Sequence, residues 1–312
     1  ICTNCGAYQP AEAQNGVYQI KNVGNLFWFA ALVNGDTNQE GITQAVPNAN
    51  AVLTADIDLG GREWAPIAPS TTFKNNATTV EDTTNKSYSG TFDGQGHTIS
   101  NFEIRTNRAE LTSGLFGAVT GTIENLGIVN ASFDNGGAYD GRFGALCGLL
   151  VKDRFTKTAA TIQNCYVVGS SIKASGRIAG AVCGANYGGT IANCYEYGNT
   201  VTAHERIGHL VGDNQNDAST GTMIGTVTNC YSDTKVVGDT TSSKTGTVNG
   251  GGVKDAGAFA SGEVAYLLNG SSSDSPVWFQ NLDNGRPRDD YPVLDSSHGI
   301  VYCIEEDPVR YS

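Results

Sequence analysis

Apolar and polar residues alternate in short runs along most of this chain, and Gly or Asn interrupts each run after a few positions. Between Val52 and Val237 no segment keeps the spacing of an amphipathic helix. Thr, Ile, Val, Tyr and Cys dominate the runs, which is typical of short strands joined by tight bends. The pattern therefore predicts an all-β fold for this part of the chain.

Two phrases recur within these strands. The first, Thr-(Ile/Val)-x-Asn, places Asn at positions 125, 164, 193 and 229, and its last three copies continue into Cys-Tyr. The second, Gly-x-(Leu/Val)-x-Gly, begins at positions 144, 180 and 208. The Asn spacings of 39, 29 and 36 residues indicate a solenoid of stacked units. We therefore predict a right-handed parallel β-helix.

Stacking explains why these residue types recur. An Asn at the same place in every unit adopts a left-handed bend, and its amide reaches the Asn above and below. Cys165, Cys194 and Cys230 are expected to form a column of small apolar side chains in a narrow interior, and Cys147 is expected to stack on Cys183.

The two ends of the chain have a different pattern. Residues 25–33 have helical spacing and are followed by Asn-Gly, so we predict a short helix that caps the first unit. Residues 261–268 predict a second helix, followed by short strands that close the far end. The predicted domains are an N-terminal segment with its capping helix over 1–50, the β-helix repeats over 51–256 and a C-terminal cap over 257–312.

Composition and charge narrow the possible partners. The formal net charge is −12, whereas nucleic acids and anionic membranes bind basic surfaces. No apolar run approaches the ~18 residues of a membrane span. The chain begins at Ile1 without a signal-peptide pattern, so we expect a monomeric fragment of a larger chain. No cofactor motif is present, so no cofactor is expected.

Cys2 and Cys5 have the spacing of one zinc knuckle, but no second Cys or His pair follows at a suitable distance. A disulfide, a metal site and free thiols all stay open for this pair. The sequence otherwise predicts no metal site.

Charged residues before the second phrase are the main candidates for a ligand site. Arg142 and Arg206 lie two residues before their Gly, and Arg177 lies three before. Stacking in register would bring the three guanidinium groups together, and such a group needs carboxylates or an anionic ligand. Either a solvated charge ladder or a binding site fits this pattern. The candidate ligand-binding residues are Tyr139, Asp140, Arg142, Arg177, Tyr187, His204, Glu205 and Arg206.

Other candidates for chemistry are weaker. Asp93 and His97 flank a Gly-rich bend, where a structural turn is the more common role. Glycoside hydrolysis requires a carboxylate pair, which Asp140, Glu205, Asp213 or Asp217 would have to supply. No nucleophile elbow, zinc-protease helix or P-loop occurs in the sequence.

The phrase Tyr88-Ser-Gly-Thr-Phe-Asp-Gly-Gln-Gly-His97, with Gly114-Leu-Phe-Gly117 and the later Gly-x-(Leu/Val)-x-Gly copies, resembles the GLUG-motif surface proteins of bacteria. The resemblance spans roughly residues 16 to 303 and implies a β-helical region of a large secreted or wall-attached protein. It leads us to expect an extracellular module that binds a glycan or a host surface protein. One alternative is a polysaccharide lyase or glycoside hydrolase with a groove along the β-helix, in which an Arg would neutralise a uronate and His204 or a Tyr would move the proton. Another is the accessory region of a protease.

Overall fold

A computed structural model of the protein describes residues 8–69, 87–105, 112–134, 141–152, 158, 160–217, 223–238, 246–282, 287–306 and 309–312. The described residues are mostly β, and the strands that carry the recurring phrases pair in parallel. None of the described helices is long and apolar enough to cross a membrane.

The N-terminal part leads into the first strands of the main sheet. Its elements are β1 (Ala13–Gln14), β2 (Val17–Ile20), α1 (Val23–Asn34), β3 (Asn50–Leu53), β4 (Ile57–Glu63), β5 (Thr91–Asp93) and β6 (Thr98–Ile104).

Four repeats follow, and each supplies strands to the same three sheets. Repeat 1 comprises β7 (Thr112–Ser113), β8 (Phe116–Val119), β9 (Thr122–Val129) and β10 (Ser132–Asp134). Repeat 2 comprises β11 (Arg142–Phe143), β12 (Cys147–Val151), β13 (Thr161–Val168) and β14 (Ser171–Lys173). Repeat 3 comprises β15 (Ile178–Ala179), β16 (Cys183–Tyr187), β17 (Thr190–Ala192), β18 (Tyr195–Tyr197) and β19 (Thr200–Thr202). Repeat 4 comprises β20 (Arg206–Ile207), β21 (Val211–Asp217), β22 (Met223–Ile224) and β23 (Thr226–Ser232).

The C-terminal part begins with one more parallel strand, β24 (Thr247–Val253), paired with β23. It continues through α2 (Ala256–Ala260), α3 (Glu263–Leu268), β25 (Cys303–Glu306) and β26 (Val309–Tyr311).

The first phrase stacks in register, as predicted. Its four Thr residues are Cα partners from strand to strand, at positions 122, 161, 190 and 226. The four Asn residues all have φ near +50°. The side-chain amides of the last three donate to the Asn of the preceding repeat, at 3.0, 3.4 and 3.0 Å along the column, and that of Asn125 donates to Asp93 Oδ1 at 3.0 Å. The predicted Asn column is therefore confirmed.

The predicted Cys stacks are also confirmed. Cys147 and Cys183 are Cα partners, and the column of Cys165, Cys194 and Cys230 is fully buried with free thiols. The backbone N–H of Cys165 lies 3.4 Å from Sγ of Cys194. Burial raises the pKa of Cys194 well above its usual range, so this thiol stays protonated and acts as a small apolar side chain.

Helix α1 is capped at its start by the Asn22 side chain and at its end by Gly35, which has φ 77°. It begins two residues earlier and ends one residue later than predicted. Its Phe29 ring lies 5.9 Å from Phe92 and 6.3 Å from Tyr88. The helix therefore packs against aromatic residues at the start of the main sheet, which is where the sequence predicts a cap.

The C-terminal part packs along the side of the stack, and the carbonyl groups of Leu267 and Leu268 in α3 also accept hydrogen bonds from Asn229 Nδ2 at the end of the Asn column. Its role as a cap of the far end stays a prediction. Tyr166, Tyr195 and Tyr231 form a column on the side of the main sheet opposite the core, and Trp278 packs against the first two rings. The Tyr195 hydroxyl donates to the carbonyl of Pro292. The segment is held laterally because this Tyr column offers it a large aromatic surface.

Candidate functional site

The structure does not bring the three candidate arginines together. Arg142 and Arg206 lie in one column, but the residue between them is Ile178. Arg177 lies one position before this column, because it is three residues rather than two before its Gly. The predicted column of three guanidinium groups is therefore wrong.

Arg142 and Arg206 instead belong to a buried network, which we call the arginine network. Nε of Arg142 donates to Tyr187 Oη at 3.3 Å, and its guanidinium carbon lies 5.6 Å from the ring centroid. The Tyr187 hydroxyl donates to Asp213 Oδ2 at 3.4 Å, and Arg206 pairs with the same oxygen. Gln215 Nε2 donates to it at 2.7 Å.

The arginine network extends from the interior towards the surface, because Tyr187, Arg206 and Gln215 are partly buried. Arg142 is 3% exposed and Asp213 is fully buried. Burial raises the pKa of Tyr187, while the Arg142 charge acts in the opposite direction. The contacts join three neighbouring repeats, which favours a role in holding the repeats together.

The other sequence candidates lie on the surface or outside the described residues. Arg177 and Glu205 form an ion pair with a 2.7 Å contact between Nη2 and Oε2. His204 is exposed, and its backbone N–H donates to the carbonyl of Gly176. Tyr139 and Asp140 lie outside the described residues, and of Asp217 only its place in β21 is described.

A cleft of about 420 Å³ lies where the C-terminal part meets the N-terminal part and the first two repeats, and we call it the lateral cleft. This volume is within the range of about 300–1,000 Å³ typical of small-molecule sites. It is lined by Asp56, Gln95, Gly96, His97, Thr98, Val129, Tyr166, Tyr291, Val293, Leu294, Asp295, Ser296 and His298.

The Gly-rich bend that ends at His97, in the N-terminal part, builds the side of the lateral cleft that faces the C-terminal part. Gln95 has φ 49° and Gly96 has φ 87°, so the bend is left-handed. A Cβ at Gly96 would lie 2.9 Å from the carbonyl oxygen of Leu294, which explains the need for Gly at this close approach. His97 Nδ1 lies 3.3 Å from Asp56 Oδ1, so its partner is Asp56 and not Asp93.

The C-terminal side supplies an aromatic ring and a carboxylate. The Tyr291 ring is partly exposed and lies 6.4 Å from the Tyr166 ring. Asp295 is exposed and accepts a hydrogen bond from the Ser297 backbone N–H at 2.8 Å. This bond lowers the pKa of Asp295, with smaller contributions from His298 and His97. No Lys or Arg lies among the described residues that line the cleft.

Sequence reasoning singled out His97 but missed Asp56, Tyr291, Asp295 and His298. These residues come from segments far apart in the chain, and only the lateral packing of the C-terminal part brings them together. A sequence signal existed in the Cys-Tyr phrase, because a buried Cys next to a Tyr places the Tyr column on the opposite side of the strands.

Sequence reasoning also missed a second polar cluster, at the end of the repeats. Glu196, His209 and Asp233 have side-chain N and O atoms that all lie within 4.8 Å of one another. Glu196 is fully buried, and this burial raises its pKa to about 7, against the effect of hydrogen bonds from Ser232 and Asn199.

Comparison with known proteins shows partial similarities. No family model matches the chain. The chain is 35% identical over 101 residues to halomucin of Haloquadratum walsbyi, a match that covers 30% of this chain and 1% of halomucin. Its fold has a TM-score of 0.49 to a crystal structure of a candidate immunoglobulin A1 protease from Bacteroides ovatus, with 20% identity over 91% of this chain and 93% of that one.

Proposed function

We propose that this chain is a right-handed parallel β-helix that acts as an extracellular carbohydrate-binding module and that the lateral cleft is its binding site. The right hand is favoured because parallel strands joined by crossovers follow that hand in about 98% of cases. Placement at the cell surface or in a secreted protein rests on the resemblance of its Gly-rich phrases to GLUG-motif proteins.

One observation carries the binding proposal: the lateral cleft combines a partly exposed Tyr291 ring with carboxylate and imidazole groups. An aromatic ring covers the apolar face of a pyranose, while carboxylate oxygens accept hydrogen bonds from its hydroxyl groups. Asp56 lines the cleft from the N-terminal part and Asp295 lines it from the C-terminal part. This arrangement suits a short oligosaccharide lying across the Tyr291 ring.

The charge of the cleft points to neutral glycans. Its described lining holds Asp56 and Asp295 but no Lys or Arg, and the whole chain has a net charge of −12. Uronates and sulfated sugars would meet like charge here without a guanidinium to bind them. The arginines that the sequence suggested for binding a uronate have other partners. Arg142 and Arg206 belong to the arginine network, and Arg177 pairs with Glu205.

Binding is favoured over hydrolysis. A glycoside hydrolase needs a carboxylic acid whose pKa is raised so that it donates a proton to the leaving group. The pKa of Asp295 is lowered instead, which keeps this group ionised as a hydrogen-bond acceptor. The enzyme alternative therefore has less support than a module that only binds.

The test is a panel of neutral and acidic oligosaccharides, scored for binding by calorimetry and for cleavage by new reducing ends and unsaturated products. We expect binding of at least one neutral glycan, little binding of uronates and no products. Product formation would favour the enzyme. Absence of binding to every glycan, together with binding to a protein from a host surface, would overturn the carbohydrate proposal.

A further inference from the structure

In the last two repeats, polar residues replace apolar ones at two positions in the interior of the stack. One inward column runs Ile128, Val167, Glu196 and Ser232 by Cα pairing, so a carboxylate takes the place of a buried aliphatic side chain. Ile128 and Val167 are fully buried in the main core. The position of Glu196 is therefore one that the two preceding repeats fill with apolar residues.

A second inward column changes at the same end of the stack. Its members are linked by backbone hydrogen bonds and read Leu115, Ala145, Ala181 and His209. The first three are fully buried and apolar, and the fourth is a His. Two independent columns thus replace apolar residues by metal-ligating types, and the two replacements face each other.

The distances bring three metal-ligating side chains close to one another. Nδ1 of His209 lies 4.0 Å from Oε2 of Glu196, and Asp233 completes a set whose N and O atoms all lie within 4.8 Å. In a tetrahedral site, Zn–N and Zn–O bonds of about 2.0–2.2 Å place ligand atoms about 3.4 Å apart. The Glu196–His209 pair would therefore close by about 0.6 Å on binding, and the widest pair by at most about 1.4 Å.

His209 provides an independent indication. Its Nδ1 atom is buried and has no hydrogen-bond partner among the described residues. At 4.0 Å the Glu196 oxygen is too far away to accept a hydrogen bond from it. A buried, unpartnered imidazole nitrogen is costly, whereas a metal ion between the two atoms would satisfy both.

The surroundings of Glu196 resemble the outer shell of a metal site. Asn199 Nδ2 donates to Glu196 Oε2 at 2.9 Å, and the Ser232 hydroxyl donates to Oε1. Such bonds orient a ligating carboxylate. Asp233 is partly exposed, so the cluster has an open side through which an ion enters.

We propose that Glu196, His209 and Asp233 bind one divalent transition-metal ion that stabilises the last repeats. One imidazole nitrogen and two carboxylate oxygens suit Zn²⁺ best, with water in a fourth position. The ion neutralises the buried carboxylate and occupies an interior that apolar side chains fill in the earlier repeats. This site lies apart from the lateral cleft and does not depend on the carbohydrate proposal.

The test is Zn²⁺ binding to the untagged full chain, in which Cys2→Ser and Cys5→Ser remove the competing thiols. Calorimetry and metal analysis after dialysis are expected to give one Zn²⁺ per chain, and Zn²⁺ is expected to raise Tm. His209→Ala and Glu196→Val restore the residue types of the preceding repeats and are therefore expected to fold. We expect each to weaken Zn²⁺ binding at least 100-fold.

His204→Ala is the matched control, because this exposed His is five residues from His209 and outside the cluster. It is expected to bind Zn²⁺ as tightly as the parent. Failure of the parent to bind Zn²⁺, Co²⁺ or Mn²⁺ would overturn the proposal. Equal Zn²⁺ binding by His209→Ala and the parent would do the same.

Discussion

The side-chain amide of Asn164 donates to Oδ1 of Asn125 at 3.0 Å, and both residues have left-handed backbones with φ of 50° and 52°. Asn tolerates this conformation better than other residues with a side chain, and its amide both donates and accepts. The bend and the bridge between repeats therefore require the same residue. This double requirement explains why Asn recurs while the residue before it varies.

Replacing an Asn in the middle of this column by Leu should destabilise the fold. Asn193→Leu removes two inter-repeat hydrogen bonds and places a branched side chain at φ 51°. Each hydrogen bond contributes about 1 kcal/mol, and a left-handed conformation costs a non-Gly residue about 1–2 kcal/mol. We expect urea unfolding to show a loss of about 3–4 kcal/mol.

Asn193→Gly separates the two contributions, because Gly accepts the left-handed bend but supplies no amide. Its loss is expected to be smaller than that of Asn193→Leu by roughly the conformational cost of about 1–2 kcal/mol. If Asn193→Leu were as stable as the parent, the hydrogen bonds of the Asn column would not stabilise the fold, contrary to this prediction.

The arginine network is expected to behave as a coupled unit. Arg206→Ile introduces the side chain of its register partner Ile178 but leaves the fully buried Asp213 without its ion pair. Loss of one partner of a buried pair costs about 3–5 kcal/mol. We expect a loss of this size in the free energy of unfolding.

The double variant Arg206→Ile/Asp213→Ala reproduces the pairing partners in repeat 3, Ile178 and Ala185. Because the unpaired Asp213 carboxylate is also removed, it is expected to be more stable than Arg206→Ile alone. Additive losses in the double-mutant cycle would indicate that the two side chains do not interact.

Glu196 gives a pH dependence to the metal-free protein. Its folded pKa is about 7 and its ordinary value is 4.5, so the folded state holds the proton more tightly than the unfolded state. Its contribution to stability is complete below pH 4.5 and is lost as the pH rises through 7. The shift corresponds to about 3 kcal/mol.

The measurement is urea unfolding of metal-free protein, with a chelator present, across this pH range. Glu196→Gln cannot ionise, so the difference in stability between parent and variant is expected to change by about 3 kcal/mol between pH 4.5 and pH 8. A difference that stays constant with pH would show that Glu196 does not titrate in this window.

Much of the repeat geometry was readable in the sequence because it depends on local requirements that recur. Each Asn bend, each Gly in a close approach and each buried Cys repeats its own signal at every unit. The register of Asn125, Asn164, Asn193 and Asn229 followed directly from these signals. The hand of the stack and the domain boundaries stay predictions.

The candidate site was harder to predict because it depends on contacts between distant segments. Asp56 and Asp295 have no local pattern in common, and their proximity follows from packing of the C-terminal part on the Tyr column. The position of Arg177 was misjudged because one extra residue before its Gly moves it out of the column. The proximity of Glu196 and His209 depends on how two inward-facing columns of residues lie beside each other, so the sequence alone did not predict it.

The most direct test of the account is the affinity of the Tyr291→Ala variant for the neutral glycan that the parent binds best. The variant removes the partly exposed ring of the lateral cleft, so we expect calorimetry to show at least a tenfold weaker binding, equivalent to about 1.4 kcal/mol. Tyr302→Ala is the matched control, since this Tyr is 47% exposed and outside the cleft, and its affinity should equal that of the parent. Equal affinity of Tyr291→Ala and the parent would contradict the proposed binding site.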